Sequence, residues 1–270
     1  VLLLMSMSGC GKEAETGKTQ VAMIVKSTES AFFKSVFAGA RAAATEYNLN
    51  VTFNGPESEE DYVTQNEMVR QAMEDGVDVI VFSAVDYNAN AEIIGQTAQR
   101  GIKIVVIDSD VNSSMVSCRI GTNNLQAGVK AAEAALVVEE DELYIGIVNY
   151  DVNSANGQQR ELGFRQTVEQ DPRVKDITTI NVLSTTEDAR AGAKEMLLSD
   201  SRINVVVTFN EWTSLGVGWA IRDLDRGDRT LLSSVWSGMR GQGQNLYVPG
   251  AIFGKNLPCK PRWKGQGYCG

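Results

Sequence analysis

Beyond residue 20 the chain alternates between short apolar runs and longer stretches in which apolar residues recur every three or four positions. Val21-Ala22-Met23-Ile24-Val25 is apolar throughout, as expected of a strand buried on both faces. Residues 31–47 follow, with Phe32, Val36, Phe37, Ala40 and Ala44 at helical spacing. Val51-Thr52-Phe53 predicts a second strand, stopped by Asn54-Gly55-Pro56, and residues 61–74 predict a helix. A strand over 77–82, a helix over 89–100 closed by Gly101 and a strand over 102–107 complete one round. The rhythm then restarts. Helices are expected at 123–136, 158–170, 188–198 and 212–223, alternating with strands at 144–148, 177–183, 205–209 and 231–235. Such alternation predicts parallel sheets with helices on both faces. The fold class is therefore α/β, with two similar doubly wound lobes over residues 20–122 and 123–236, joined near Gly121-Thr122-Asn123.

The two ends break this pattern. Val1 to Cys10 is a short apolar run closing on Ser8-Gly9-Cys10, well short of the roughly 20 apolar residues that span a bilayer. It looks like the end of a bacterial lipoprotein signal, so residues 1–19 are expected to be a signal remnant and polar tether, with lipid on Cys10 holding the protein to the membrane. Gly11-Lys12-Glu13-Ala14-Glu15-Thr16-Gly17-Lys18-Thr19 imitates a phosphate-binding loop. However, five residues separate its glycines and a strand follows where a helix should begin.

Composition narrows the function. The 270 residues carry a net charge of −9 and no histidine. The acidity argues against a nucleic-acid partner. The missing histidine removes Ser-His-Asp and Cys-His catalysis and the commonest transition-metal ligand. With no nucleophile elbow and no dinucleotide fingerprint either, the chain is read as a binder and not an enzyme. No cofactor and no metal are expected, since the Asp108/Asp110 and Asp151/Asn153/Asn156 spacings do not match a calcium loop. Cys118, in an apolar context, is expected to be a buried small hydrophobe.

In parallel α/β sheets ligands sit beyond the carboxyl ends of the strands. Two such edges facing each other make a cleft that closes by hinge motion. The predicted strand ends carry Lys26 to Phe33, then Ser83-Ala84-Val85-Asp86, Asp108-Ser109-Asp110, Asn149-Tyr150-Asp151 with Asn153, and Asn210-Glu211-Trp212; Arg160 follows in a helix. Carboxylates and a guanidinium bind adjacent hydroxyls through charge-assisted bonds, and aromatic faces cover the C–H face of a sugar ring. This inventory suits a polyhydroxylated ligand.

The segments Ser27 to Phe33, Ile107-Asp108-Ser109, Ile120 to Gly128 and Gln159 to Phe164 together resemble the ribose-type solute-binding proteins of bacterial ABC importers, over about residues 20–235. The resemblance implies the type I periplasmic-binding-protein fold: two lobes joined by three crossovers, closing on a sugar without chemistry and delivering it to a permease. Carried over by position, Phe32 or Phe33 would stack on the ring and Asp108 would accept from two hydroxyls. Arg160 would clamp a hydroxyl pair or the ring oxygen from the opposite lobe, and Asn210 would add an amide contact. Trp212, Asn153 and Asp86 are further candidates. Each has a plainer use: helix core for one Phe, turn formation for Asp108 and Asp86, a helix cap for Asn210 and packing for Trp212. The protein is expected to be a monomer. Alternatives are a signal-binding or chemoreceptor-linked receptor of the same fold, and a lactose-repressor-type regulator core. The regulator requires a DNA-binding segment, for which only ten residues separate Cys10 from Val21.

From Arg229 onward the chain has six basic and no acidic residues, which leaves residues 1–228 with 19 basic against 34 acidic, a net −15. Where the family would continue after Val235 with Val, Gly, an aromatic residue and an acid, this chain reads Trp236-Ser237-Gly238-Met239-Arg240. Read one nucleotide earlier, suitable codons spell Val-Val-Gly-Tyr-Glu. Residues 237–270 are therefore an atypical tail, read either as a displaced frame or as a divergent basic tail with a Cys259–Cys269 loop.

Overall fold

The computed structural model describes residues 17–234. The expected lipid site at Cys10, the second and third crossovers and the tail over 237–270 lie outside those residues.

The first lobe runs β1 (Gln20–Ile24), α1 (Ala31–Glu46), β2 (Asn50–Asn54), α2 (Tyr62–Glu74), β3 (Val79–Phe82), α3 (Ala91–Gln99), β4 (Lys103–Ile107) and β5 (Cys118–Ile120). The second runs α4 (Asn124–Ala135), β6 (Leu143–Asn149), α5 (Ala155–Val168), β7 (Val174–Asn181), α6 (Thr186–Ser199), β8 (Val205–Thr208), α7 (Glu211–Asp223) and β9 (Leu231–Ser234). Strand order is β2-β1-β3-β4-β5 in one sheet and β7-β6-β8-β9 in the other, and every pairing is parallel. In both sheets the second strand is laid on one side of the first and the third on the other. That reversal opens a crevice at the carboxyl edge between β1 and β3, and again between β6 and β8.

Strand alternation sorts the core into layers. Ala22, Ile24, Ile80, Phe82, Ile104 and Val106 pack with Val69, Ala72, Ile93 and Ile94 of α2 and α3 on one face of the first sheet. Met23 and Val25 point the other way, onto Phe33 and Phe37 of α1. In the second lobe Ile145, Ile147, Val205 and Val207 meet α4 and α5, while Val148 and Val206 meet α6 and α7. Together these layers give each lobe its own apolar core.

Two expectations need correction. The short strand β5 has no apolar run to announce it, because all three of its residues are exposed. Among the described residues it pairs on one side only, with β4, in the register Val105↔Cys118 and Ile107↔Ile120. Cys118 is consequently an exposed free cysteine and not a core residue. Helix α5 also starts at Ala155, three residues before the apolar periodicity suggests.

Candidate functional site

The chain leaves β5 at Ile120 and enters α4 at Asn124, whose preceding residue Asn123 caps the helix by accepting from the Gln126 N–H. This passage sets the two carboxyl edges opposite each other. Between them lies a cleft of about 460 Å³, counted with the space open to solvent, lined from both lobes.

Six of the eight expected residues line it: Phe32, Phe33, Asp108, Arg160, Asn210 and Trp212. Phe33 is 2% exposed and belongs to the α1 core, whereas Phe32 packs against that core only partly buried. Their rings stand edge to face, with centroids 5.0 Å apart. Phe32 is thus the ring with a face to spare.

Asp108 ends β4 with φ of 54°, in the left-handed region that few non-glycine residues occupy. Its N–H is tied to the Ile120 carbonyl at 3.1 Å, which fixes the turn. Its Oδ2 accepts from Ser83 Oγ at 3.3 Å and, across the cleft, from Asn156 Nδ2 at 3.4 Å. Both donors are neutral and both bonds are long, so the carboxylate keeps accepting capacity.

Arg160, on α5 and 4% exposed, donates from Nε to Asn124 Oδ1 at 2.9 Å and from Nη1 to the Phe209 carbonyl at 2.6 Å. These bonds hold the guanidinium plane, and Nη2 has no hydrogen-bond partner among the described residues. Asn210 is the N-cap of α7, where it forms a capping box with Thr213, and it also donates to Ser184 Oγ at 3.2 Å. Capping and lining are therefore combined in one residue.

The other two stand apart from the lining. The Asp86 carboxylate accepts from the Asn88 and Ala89 N–H groups, both at 2.8 Å, and so closes the turn into α3. Asn153 turns its N–H onto the Asp151 carboxylate, and its carbonyl accepts from the Tyr87 N–H of the other lobe at 3.0 Å. It serves the lobe contact through backbone.

Lys26, Ser30, Glu59, Tyr150, Asn156 and Glu211 complete the lining. Four of them were visible at strand ends, but Glu59 lies well past β2 in a polar loop that gave no signal. Lys26 is 2% exposed, with Nζ donating to Ser154 Oγ of the opposite lobe at 2.9 Å. It lies 3.6 Å from the Glu59 carboxylate and 5.3 Å from the centroid of the Tyr150 ring. Burial alone would lower the Lys26 ammonium, but the surrounding negative groups, Glu59 foremost, outweigh it and hold Lys26 above its ordinary value. Burial raises the Glu59 carboxyl, opposed chiefly by the charge of Lys26. Burial also raises the Tyr150 hydroxyl, which donates to Asn156 Oδ1 at 2.8 Å. Glu211 is raised by desolvation too. The cleft thus presents carboxylates, one part-free guanidinium, amides and aromatic faces, without a nucleophile–base pair.

A model of the periplasmic binding protein domain family matches residues 21–244. A D-ribose/D-allose-binding protein of Pseudomonas aeruginosa is 25% identical over 219 residues, covering 77% of this chain and 68% of that protein. Among solved structures, a sugar transporter from Clostridium phytofermentans is 30% identical with a TM-score of 0.75, covering 82% of each chain. A carbohydrate transporter solute binding protein from Agrobacterium radiobacter, in complex with D-arabinose, is 23% identical with a TM-score of 0.77, covering 81% of this chain and 76% of that one.

Proposed function

Because the chain belongs to the periplasmic binding protein domain family, matched over residues 21–244, we propose that it is the solute-capturing component of a bacterial ABC importer. Family membership makes it a binding protein and not an enzyme, and gives it an extracytoplasmic location. Within that frame its ligand is a small sugar or polyol, closed between the lobes and handed to a permease.

The observation that carries the reading is the convergence of donors, acceptors and aromatic rings from both lobes on one cleft. Phe32 offers a ring to a sugar's C–H face, Asp108 accepts from adjacent hydroxyls and Arg160 Nη2 donates from the facing lobe. Asn210 and Trp212 close the far wall. The relative named for D-ribose and D-allose supports this chemistry, and those sugars with D-arabinose make the first panel to try. The run ending in Ser8-Gly9-Cys10 supports lipid anchorage at Cys10. We read the protein as a monomer in this role.

The test is thermal unfolding against a monosaccharide panel. A true ligand at 100–1,000 times its Kd stabilises the folded state by about 3–4 kcal/mol. Arg160→Ala and Asp108→Ala are expected to lose that gain. An undiminished gain in both variants would reject these residues as the site, and no gain with any sugar or polyol would reject the ligand class. Cys10→Ala is expected to move the protein from the membrane fraction to the soluble extracytoplasmic fraction.

A further inference from the structure

We infer that Lys26 and Glu59 are positioning residues that latch the two lobes together from within the cleft, coupling closure to capture. Both belong to the first lobe, and Lys26 engages the second directly. Lys26 donates to Ser154 Oγ at 2.9 Å and lies over the Tyr150 ring at 5.3 Å. Glu59 lines the cleft together with Trp212 of the second lobe. The pair is 3.6 Å apart, with side chains only 3% and 13% exposed.

Ser154 shows where the fold gives way to this contact. It occupies the N-cap of α5, a position where Ser ordinarily bonds a backbone N–H of the first turn, yet it makes no such cap bond. Instead its hydroxyl accepts from Lys26 and donates to Asn156 Oδ1 at 2.6 Å. Asn156 in turn donates to Asp108, so one chain of hydrogen bonds runs from Lys26 through the second lobe and back to the first. A lysine this deeply buried is tolerated because closure supplies its partners. Parting the lobes would strip Lys26 of Ser154 and Tyr150. The reward for closing is therefore built into the protein and is drawn on each time a ligand holds the lobes together.

The inference rests on the sugar-binding reading only for its ligand arm, so two readouts separate them. The first is the radius of gyration of the full chain by small-angle scattering, with and without D-ribose. Lys26→Met and Glu59→Gln are expected to shift it upward relative to wild type. Ser154→Ala, outside the cleft lining and the mildest change, should shift it in the same direction. The second is the dissociation rate of whichever panel sugar binds, which all three variants should raise, by about tenfold or more for Lys26→Met. Circular dichroism identifies any variant that fails to fold, and Ser154→Ala then carries the comparison. Larger radii with no sugar bound in the panel would uphold the latch and reject the sugar reading. Sugar binding with radius and dissociation rate unchanged in all folded variants would overturn the latch and leave the sugar reading standing.

Discussion

At Asp108 backbone and chemistry are bound together. The left-handed φ of 54° turns the carboxylate into the cleft, and a residue that resists this conformation would lose the geometry along with the charge. Asn tolerates the left-handed region nearly as well as Asp, so Asp108→Asn should keep the melting temperature of the unliganded protein while losing ligand stabilisation. Asp108→Val should also destabilise the unliganded protein, by about 1–3 kcal/mol in denaturant titration. A second residue-scale expectation concerns Asp200. Arg202 grips its carboxylate with two bonds, Nε to Oδ1 at 2.9 Å and Nη2 to Oδ2 at 2.7 Å, and lowers it from 3.8 to about 2. A depressed carboxyl stabilises the fold above its unfolded value and loses that contribution as pH falls toward the folded value. The stability gap between wild type and Asp200→Asn should therefore stay constant above about pH 4 and close toward pH 2.

Helices α4 and α5 show what sets the position of Arg160. A Cβ added at Gly128 would lie 2.0 Å from the Arg160 carbonyl oxygen, and one at Gly163 would lie 2.1 Å from the Leu125 carbonyl oxygen. The two helices touch backbone to backbone at reciprocal glycines, and that contact sets the depth of Arg160. Gly128→Ala should force them apart, costing about 1–3 kcal/mol or more, and should weaken ligand binding although Gly128 lines no part of the cleft. Parallel measurement of unfolding and affinity checks both halves of this expectation. These elements also show which features the sequence could reveal. Buried strands such as Val205–Thr208 declare themselves as apolar runs, because a sheet covered on both faces admits little else. Edge strand β5 is short and exposed, so burial left no mark on its sequence. The first turn of α5 holds Asn156 and Gly157, poor helix formers, and stays helical because Asn156 Oδ1 collects bonds from Tyr150, Ser154 and Gly157. Asp108, Arg160 and Asn210 could be found because they follow strands in a recognisable order. Glu59 could not, because it lies in a polar loop past the end of β2, where no apolar pattern or strand end marks it.

On the scale of the whole molecule, two cores of similar size are joined, among the described residues, by a short passage and a few polar contacts. Besides the latch, Ser184 N donates to Glu60 Oε1 at 2.8 Å and Tyr87 N donates to the Asn153 carbonyl. Such a union is weaker than either core, so the lobes should unfold with incomplete cooperativity. Differential scanning calorimetry is expected to show a broad or split transition without ligand, which sharpens into one when a sugar bridges the cleft. Each described sheet is also drawn from one unbroken stretch of chain, the described strands of the first running to Ile120 and those of the second beginning at Leu143. The described strands of the first lobe can therefore pair while the second is still being synthesised or is still threading through the export channel. Lys26 then waits, near the start of the chain, for a hydroxyl that reaches it more than a hundred residues later. Assembly of the finished protein is thus ordered in time by the same contact that orders its two halves in space.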